Sequence, residues 1–285
     1  MVAVVELSSG PGTTASYARA ALGMLPGTRR GSTLPDVEMV HRGVVVDRSH
    51  LAAYDRVCGF RLSDRLPATY PHVLGFPLAM RLMTAPDFPL PLIGLVHVTN
   101  RITVSRPVFA DERLDLSVRA VELRDHARGR QFDVVTTASV GGVQVWREVS
   151  TYLRITGPGS AGSAGSSTSD ISDFSVIPGG AVWWVPARVG SDYAAVSGDR
   201  NPIHTSRVCA KLFGFPRPIA HGMWTKARSL AALEGRLPES YTVDVAFKSP
   251  LLLPGKPSFT AALAGAGWEF SLRSKRPHLT GRITP

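Results

Sequence analysis

The chain has 285 residues, 44% hydrophobic and 19% charged, the balance of a globular protein with a real core, and no apolar run approaches the roughly 18 residues that cross a bilayer. Two cysteines, Cys58 and Cys209, exclude a disulfide framework, and Cys–His metal spacing is absent. The start of the chain, interrupted by Glu6 and the stretch 10–14, lacks a signal pattern, so the cytoplasm is the expected compartment.

The formal net charge of +10 attracts polyanions. Its clusters at Arg29–Arg30, Arg124–Arg130 and Arg273–Arg282 are short and scattered, and no nucleic-acid motif accompanies them. The expected partner is therefore a phosphorylated small molecule or an acidic protein, and not nucleic acid.

In chain order, Val44–Val46 reads as a strand, and a helical start follows Asp47 and runs to Tyr54 and Gly59. A longer helix is expected over Leu74–Met83, ended by the Pro-rich stretch Pro86–Pro91. Ile102–Val104 then leads into Arg106–Pro107, and Leu114–Val121 alternates as a strand. The stretch 157–169, GPGSAGSAGSSTS, is a flexible linker composition. It divides the chain into 1–156, a linker 157–170, and 171–285.

The second part repeats the order of the first. Trp183–Val185 reads as a strand, with a helical start running to Tyr193 and Gly198. A long helix is expected over Ile219–Leu233, stopped at Gly235. Val243–Phe247 leads into Ser249–Pro250, and Ser258–Ala264 is the next strand. Tyr54 and Tyr193, like Gly59 and Gly198, are 139 residues apart; Pro107 and Pro250 are 143 apart. Runs of strands with one long helix per part imply an α+β architecture, an antiparallel sheet wrapped around a central helix in each half.

The chemistry concentrates in Tyr193–Ala210, YAAVSGDRNPIHTSRVCA. Ser197–Gly198 turns the chain and Asn201–Pro202 holds it in a tight loop. Thr205 or Ser206 caps a second short helix ending at Gly214. Asp199 and His204 then sit five residues apart on one rigid loop, where a carboxylate and an imidazole reach one water molecule and do general acid–base work. Downstream, Gly222 lies at the expected start of the long helix, where backbone N–H groups are unpaired and suited to a developing oxyanion. His221 reads as a core histidine, and Tyr193 and Met223 as core or pocket lining.

The string from Tyr193 to His204, followed by Ala210, Gly214, Phe215 and Ile219–Met223, resembles the signature of the MaoC-like, (R)-specific enoyl-thioester hydratases and 3-hydroxyacyl-thioester dehydratases. The resemblance is strong over about 181–230 and rests on the internal repeat for the first half. It implies a double hot-dog fold: two antiparallel sheets, each wrapped around a central helix, joined by the Gly/Ser-rich linker. It implies Asp199 and His204 as the catalytic pair, Gly222 N–H as oxyanion donor, and Asn201, Ser197, Tyr193 and Met223 as residues that shape the site.

No metal and no redox cofactor is expected; coenzyme A or phosphopantetheine enters as part of the substrate, and acyl-CoA or acyl carrier protein is the partner. Lys248, Arg273, Lys275 and Arg276 are the candidate carrier or phosphate contacts. A homodimer of such chains is compatible with the resemblance. With the 139 offset, Phe60 falls at the place of Asp199, Arg65 at that of His204, and Leu74–Gly75 near its own helix replaces His221–Gly222. The first half is therefore expected to keep the scaffold without the chemistry and to accommodate the acyl chain, with Phe76 and Pro86–Pro91 as candidates. The alternatives are an acyl-thioester hydrolase and a non-catalytic acyl-binding subunit.

Overall fold

A computed structural model describes residues 2–7, 31–156 and 180–285. The Gly/Ser stretch and Arg29–Arg30 lie outside these residues. In chain order come β1 (Ala3–Glu6), β2 (Val37–Val44), α1 (Arg48–Cys58), α2 (Tyr70–Met83), β3 (Leu95–Val104), β4 (Leu114–His126), β5 (Gly129–Val140) and β6 (Val143–Ile155). The second series is β7 (Ala181–Val182), α3 (Val189–Ser197), α4 (Arg207–Leu212), α5 (Gly222–Ala231), β8 (Tyr241–Phe247), β9 (Ser258–Ala264), β10 (Gly267–Arg273) and β11 (Pro277–Thr284).

The fold is α+β, a hot dog in two copies, and the two half-sheets are continuous. Among the described residues the sheet runs β1-β2-β4-β5-β6-β3-β8-β11-β10-β9-β7. Every neighbouring pair is antiparallel except β1 with β2. The seam is β3 against β8, in register from Thr99 with Ala246 to Val104 with Tyr241. Each module thus covers an edge that would otherwise template association with another chain.

Local chemistry explains the helices. Asp47 caps α1 by accepting from the N–H of Ser49 and His50 at 2.8 and 3.3 Å. Gly59 and Gly198 close α1 and α3 in the left-handed region, at φ of 81° and 73°. Helix α2 begins at Tyr70, earlier than expected, because Pro71 sits in the first turn, where a missing N–H costs nothing. The helix packs on β2, β4 and β5, and its buried Val73, Phe76, Leu78, Met80 and Leu82 each contribute on the order of 1.5–3 kcal/mol by burial. Helix α5 starts at Gly222 instead of Ile219, because the Ile219 backbone is extended and bridged to Leu252.

A buried polar chain ties the modules together at the seam. The Lys226 ammonium on α5 donates to Val243 O of β8 at 3.2 Å, and to Asn100 O and Oδ1 of β3 at 3.2 and 2.5 Å. Asn100 Nδ2 donates to Glu148 Oε1 at 2.6 Å, and His72 Nδ1 of α2 bonds Glu148 Oε2 at 2.9 Å. One central helix is thereby linked to the other through seam strand β3 and its neighbour β6, with seam strand β8 bonded to the same ammonium.

Candidate active site

Two chain reversals converge at the N-terminus of α5. After the left-handed Gly198, the Asp199 N–H donates to Ser197 Oγ at 3.2 Å. Asp199 Oδ1 accepts from the Asn201 N–H at 3.2 Å, and Asn201 Oδ1 accepts from the Ile203 N–H at 3.3 Å. These are the side-chain turns that Asp and Asn favour. They carry the chain to His204, whose Nδ1–H donates to Ile219 O at 2.8 Å. That bond fixes the tautomer and leaves Nε2 as the bare ring nitrogen. Ser206 then caps α4 through the Cys209 N–H at 3.3 Å.

His221 is the residue that residue-type reasoning placed in the core. It is buried, and it also belongs to this cluster. Its Nε2–H donates to Asp199 O at 3.0 Å and lies 3.9 Å from Asp199 Oδ2. Its ring stacks on His204 with centroids 3.6 Å apart. The one sequence signal for it was its place directly before Gly222. Tyr193 packs beneath, with its ring centroid 4.9 Å from that of His221, and Met223 is buried beside them.

One oxygen of Asp199 and one ring nitrogen of each histidine lie within 4.8 Å of one another. Two hydrogen bonds of about 2.8 Å to one water, at a tetrahedral angle, span about 4.6 Å, so this spacing suits a shared water. Such a trio also has the composition of a metal site. The two rings, however, stack at 26°, so their in-plane lone pairs run side by side and do not converge on an ion at about 2.0–2.1 Å.

Burial holds both imidazoles neutral. His204 is lowered by burial, with the Asp199 charge and the Ile219 carbonyl opposing. His221 is lowered to about 3 by burial and by His204.

Gly222 opens α5 with its N–H among the first-turn donors that have no intrahelical acceptor. A Cβ there would meet the Phe247 ring at 3.1–3.3 Å. Phe247, which the sequence pattern left as an ordinary strand end, is therefore a wall of the site. His97 of the first module packs against it, with ring centroids 4.9 Å apart and planes inclined by 54°.

The four basic candidates also gather. The N–H of Lys248 donates to His278 O at 2.9 Å, and that of Ser249 to Pro277 O at 3.1 Å. This sets Lys248, the residue after Phe247, beside the β10–β11 turn that bears Arg273, Lys275 and Arg276. Of the acyl-chain candidates, Phe76 is buried on α2, while the Pro-rich stretch buries Phe88 against Phe132, with centroids 5.1 Å apart.

The offset that put Arg65 in the place of His204 is corrected by backbone pairing. Arg65 bridges Phe109 as Ile219 bridges Leu252, and Leu66 N–H donates to Val108 O as Ala220 N–H does to Leu251 O. Arg65 is thus the counterpart of Ile219, and Pro67–Ala68, not Leu74–Gly75, stand where His221–Gly222 stand. From Gly59 to Arg65 is six residues; from Gly198 to Ile219 is twenty-one. The first module did not mutate the loop bearing Asn201 and His204. It lacks that loop and α4 altogether.

Residues 190–254 match the family model described as MaoC like domain. The chain is 38% identical over 268 residues to 3-hydroxyacyl-thioester dehydratase X of Mycobacterium tuberculosis, covering 93% of this chain and 95% of that protein. The crystal structure of HtdX from the same organism superposes with a TM-score of 0.76 at 37% identity, over 86% of this chain and 98% of that one. Enoyl-CoA hydratase ChsH3 of M. tuberculosis is 26% identical over 200 residues, 65% of this chain and 66% of that protein. The chain belongs to the MaoC-like dehydratase family. It is a hydro-lyase, an enzyme of the dehydratase and hydratase class.

Proposed function

We propose that the chain interconverts trans-2-enoyl thioesters and (R)-3-hydroxyacyl thioesters, with the water held between Asp199 and His204. The observation that carries this reading is the spacing of the Asp199 carboxylate and the His204 imidazole on one loop, at the N-terminus of the helix that begins with Gly222. Two relatives named for dehydration of 3-hydroxyacyl thioesters and hydration of enoyl-CoA support it.

In the hydration direction the Asp–His pair removes a proton from water as its oxygen bonds to C3. The alkene electrons pass to the thioester carbonyl, and the developing oxyanion accepts from Gly222 N–H. The pair then returns a proton to C2, so one water is added and nothing is oxidised. Dehydration runs the same steps backwards. Asn201 and Ser197 hold the Asp199 turn. The carrier is coenzyme A or acyl carrier protein, with Lys248, Arg273, Lys275 and Arg276 as phosphate contacts. The first module accommodates the acyl chain.

Among the described residues no helix is long and apolar enough to cross a membrane. The test is crotonyl-CoA hydration, read as loss of the conjugated thioester absorbance. Asp199→Asn and His204→Ala should each lower the rate on the order of 10²–10⁴-fold. Undiminished turnover in both variants rejects the assignment, and release of free thiol would reveal a hydrolase instead.

A further inference from the structure

The loop that only the second module possesses does more than carry His204. Its second half is α4, and α4 does not bury itself. Val208 and Leu212 are 70% and 79% exposed. They are four residues apart, so they form one apolar ridge. Arg207 and Lys211 form a parallel basic ridge with the same spacing, and both are exposed. From Arg200 to Pro218 there is no acidic residue, and Arg200 and Arg217 add two more positive charges. Among the described residues none of these four cations is paired with a carboxylate.

We propose that α4 is the docking surface for an acidic, helical acyl carrier protein that delivers the thioester to the adjacent site; this rests on the dehydratase reading above. The chemistry selects this occupant. A free nucleotide carrier would use the cations and leave the apolar ridge wet. A second copy of this chain would set positive ridge against positive ridge, which costs energy. A partner helix bearing carboxylates beside apolar side chains satisfies both ridges at once. The surface starts three residues beyond His204, so a carrier seated there has only its prosthetic arm to extend.

The test uses the full chain and a crotonyl group presented in two ways, on holo-acyl carrier protein and on coenzyme A. In Arg207→Glu/Lys211→Glu, and separately in Val208→Ser/Leu212→Ser, KM for the carrier-borne substrate should rise roughly tenfold or more. Hydration of crotonyl-CoA should change little, which also controls for folding. The proposal is overturned if carrier-borne turnover is untouched, if both substrates suffer equally, or if sedimentation shows that the wild-type chain self-associates and the variants do not. Titration with holo-carrier lacking an acyl group reads docking without turnover. Should neither crotonyl substrate react, the dehydratase reading falls. Binding that both variants abolish would still support the surface, and no binding by the wild type would sink it.

Discussion

The imidazoles of His204 and His221 lie face to face, their planes inclined by 26° and their centroids 3.6 Å apart. Each ring is also anchored at its edge to a backbone carbonyl, His204 to Ile219 and His221 to Asp199. His221 therefore sets two coordinates at once, the plane of the neighbouring ring and the position of the Asp199 main chain. His221→Ala should lower kcat for crotonyl-CoA by roughly tenfold to a hundredfold, because small misplacements of reacting groups are costly. KM should move less than kcat. A His221→Ala enzyme with wild-type kcat would show that the stack is packing alone.

The same burial gives a pH signature. His204 is depressed below the ordinary imidazole range, so its bare nitrogen stays available as pH falls. The acid limb of kcat/KM should therefore lie below pH 6.5 in a rate profile.

Stability follows the opposite trend. His97 and His221 are each lowered from 6.5 to about 3, chiefly by burial. Between those values the unfolded chain binds protons that the folded chain refuses, so stability falls as pH falls through that window. His97 lies outside the proposed chemistry, which makes His97→Phe the cleaner probe. Its urea midpoint should depend less on pH between 7 and 4.5 than that of the wild type, and parallel curves would contradict the assignment.

Much of this site was legible because it is contiguous. Ser197, Asp199, Asn201 and His204 lie within eight positions, and side-chain turns among neighbours need no tertiary information. Gly222 was legible as a helix start with no side chain. Phe247 was not, because its contact with Gly222 depends on where β8 ends against α5, and strand alternation carries no such distance. The internal repeat was visible in the paired glycines Gly59 and Gly198. A single offset does not carry through a missing loop, so it pairs Arg65 with His204, whereas the two β-bridges pair Arg65 with Ile219. Lys226 was also hidden: a lysine on an amphipathic helix reads as a surface residue, and its partners come from β3 and β8.

Gly222 makes a steric prediction. A methyl group there would sit 3.1–3.3 Å from the Phe247 ring, which must then give by a few tenths of an ångström. Gly222→Ala should raise KM and lower kcat for crotonyl-CoA, since the new Cβ crowds the ring and would shield the N–H proposed as the oxyanion donor. Adding Phe247→Leu relieves the first effect and not the second. KM should recover while kcat stays low; full recovery of both would remove Gly222 N–H from the oxyanion role.

The seam predicts non-additive energetics. Lys226 is fully buried, and burial pushes its ammonium down to about 7 while Glu148 and Asp244 oppose the shift. Glu148, equally enclosed, reaches Lys226 through Asn100 and holds His72 on its other oxygen. Removing one charge strands the other away from water, at a cost of about 3–5 kcal/mol, whereas replacing both with apolar groups is often close to neutral. Below pH 7, where Lys226 carries its proton, Lys226→Met and Glu148→Leu should each lower the unfolding free energy in urea by that order. The double variant should lose clearly less than the two losses combined, because neither charge is then left alone. A pH series adds a second check. The folded pKa lies below the ordinary 10.5, so between about 7 and 10.5 the unfolded state binds a proton that the folded state does not, and stability rises with pH across that range. Lys226→Met should lack this contribution. Strict additivity in the cycle, with no difference in pH slope, would mean that the two buried charges do not act as one unit across the module boundary.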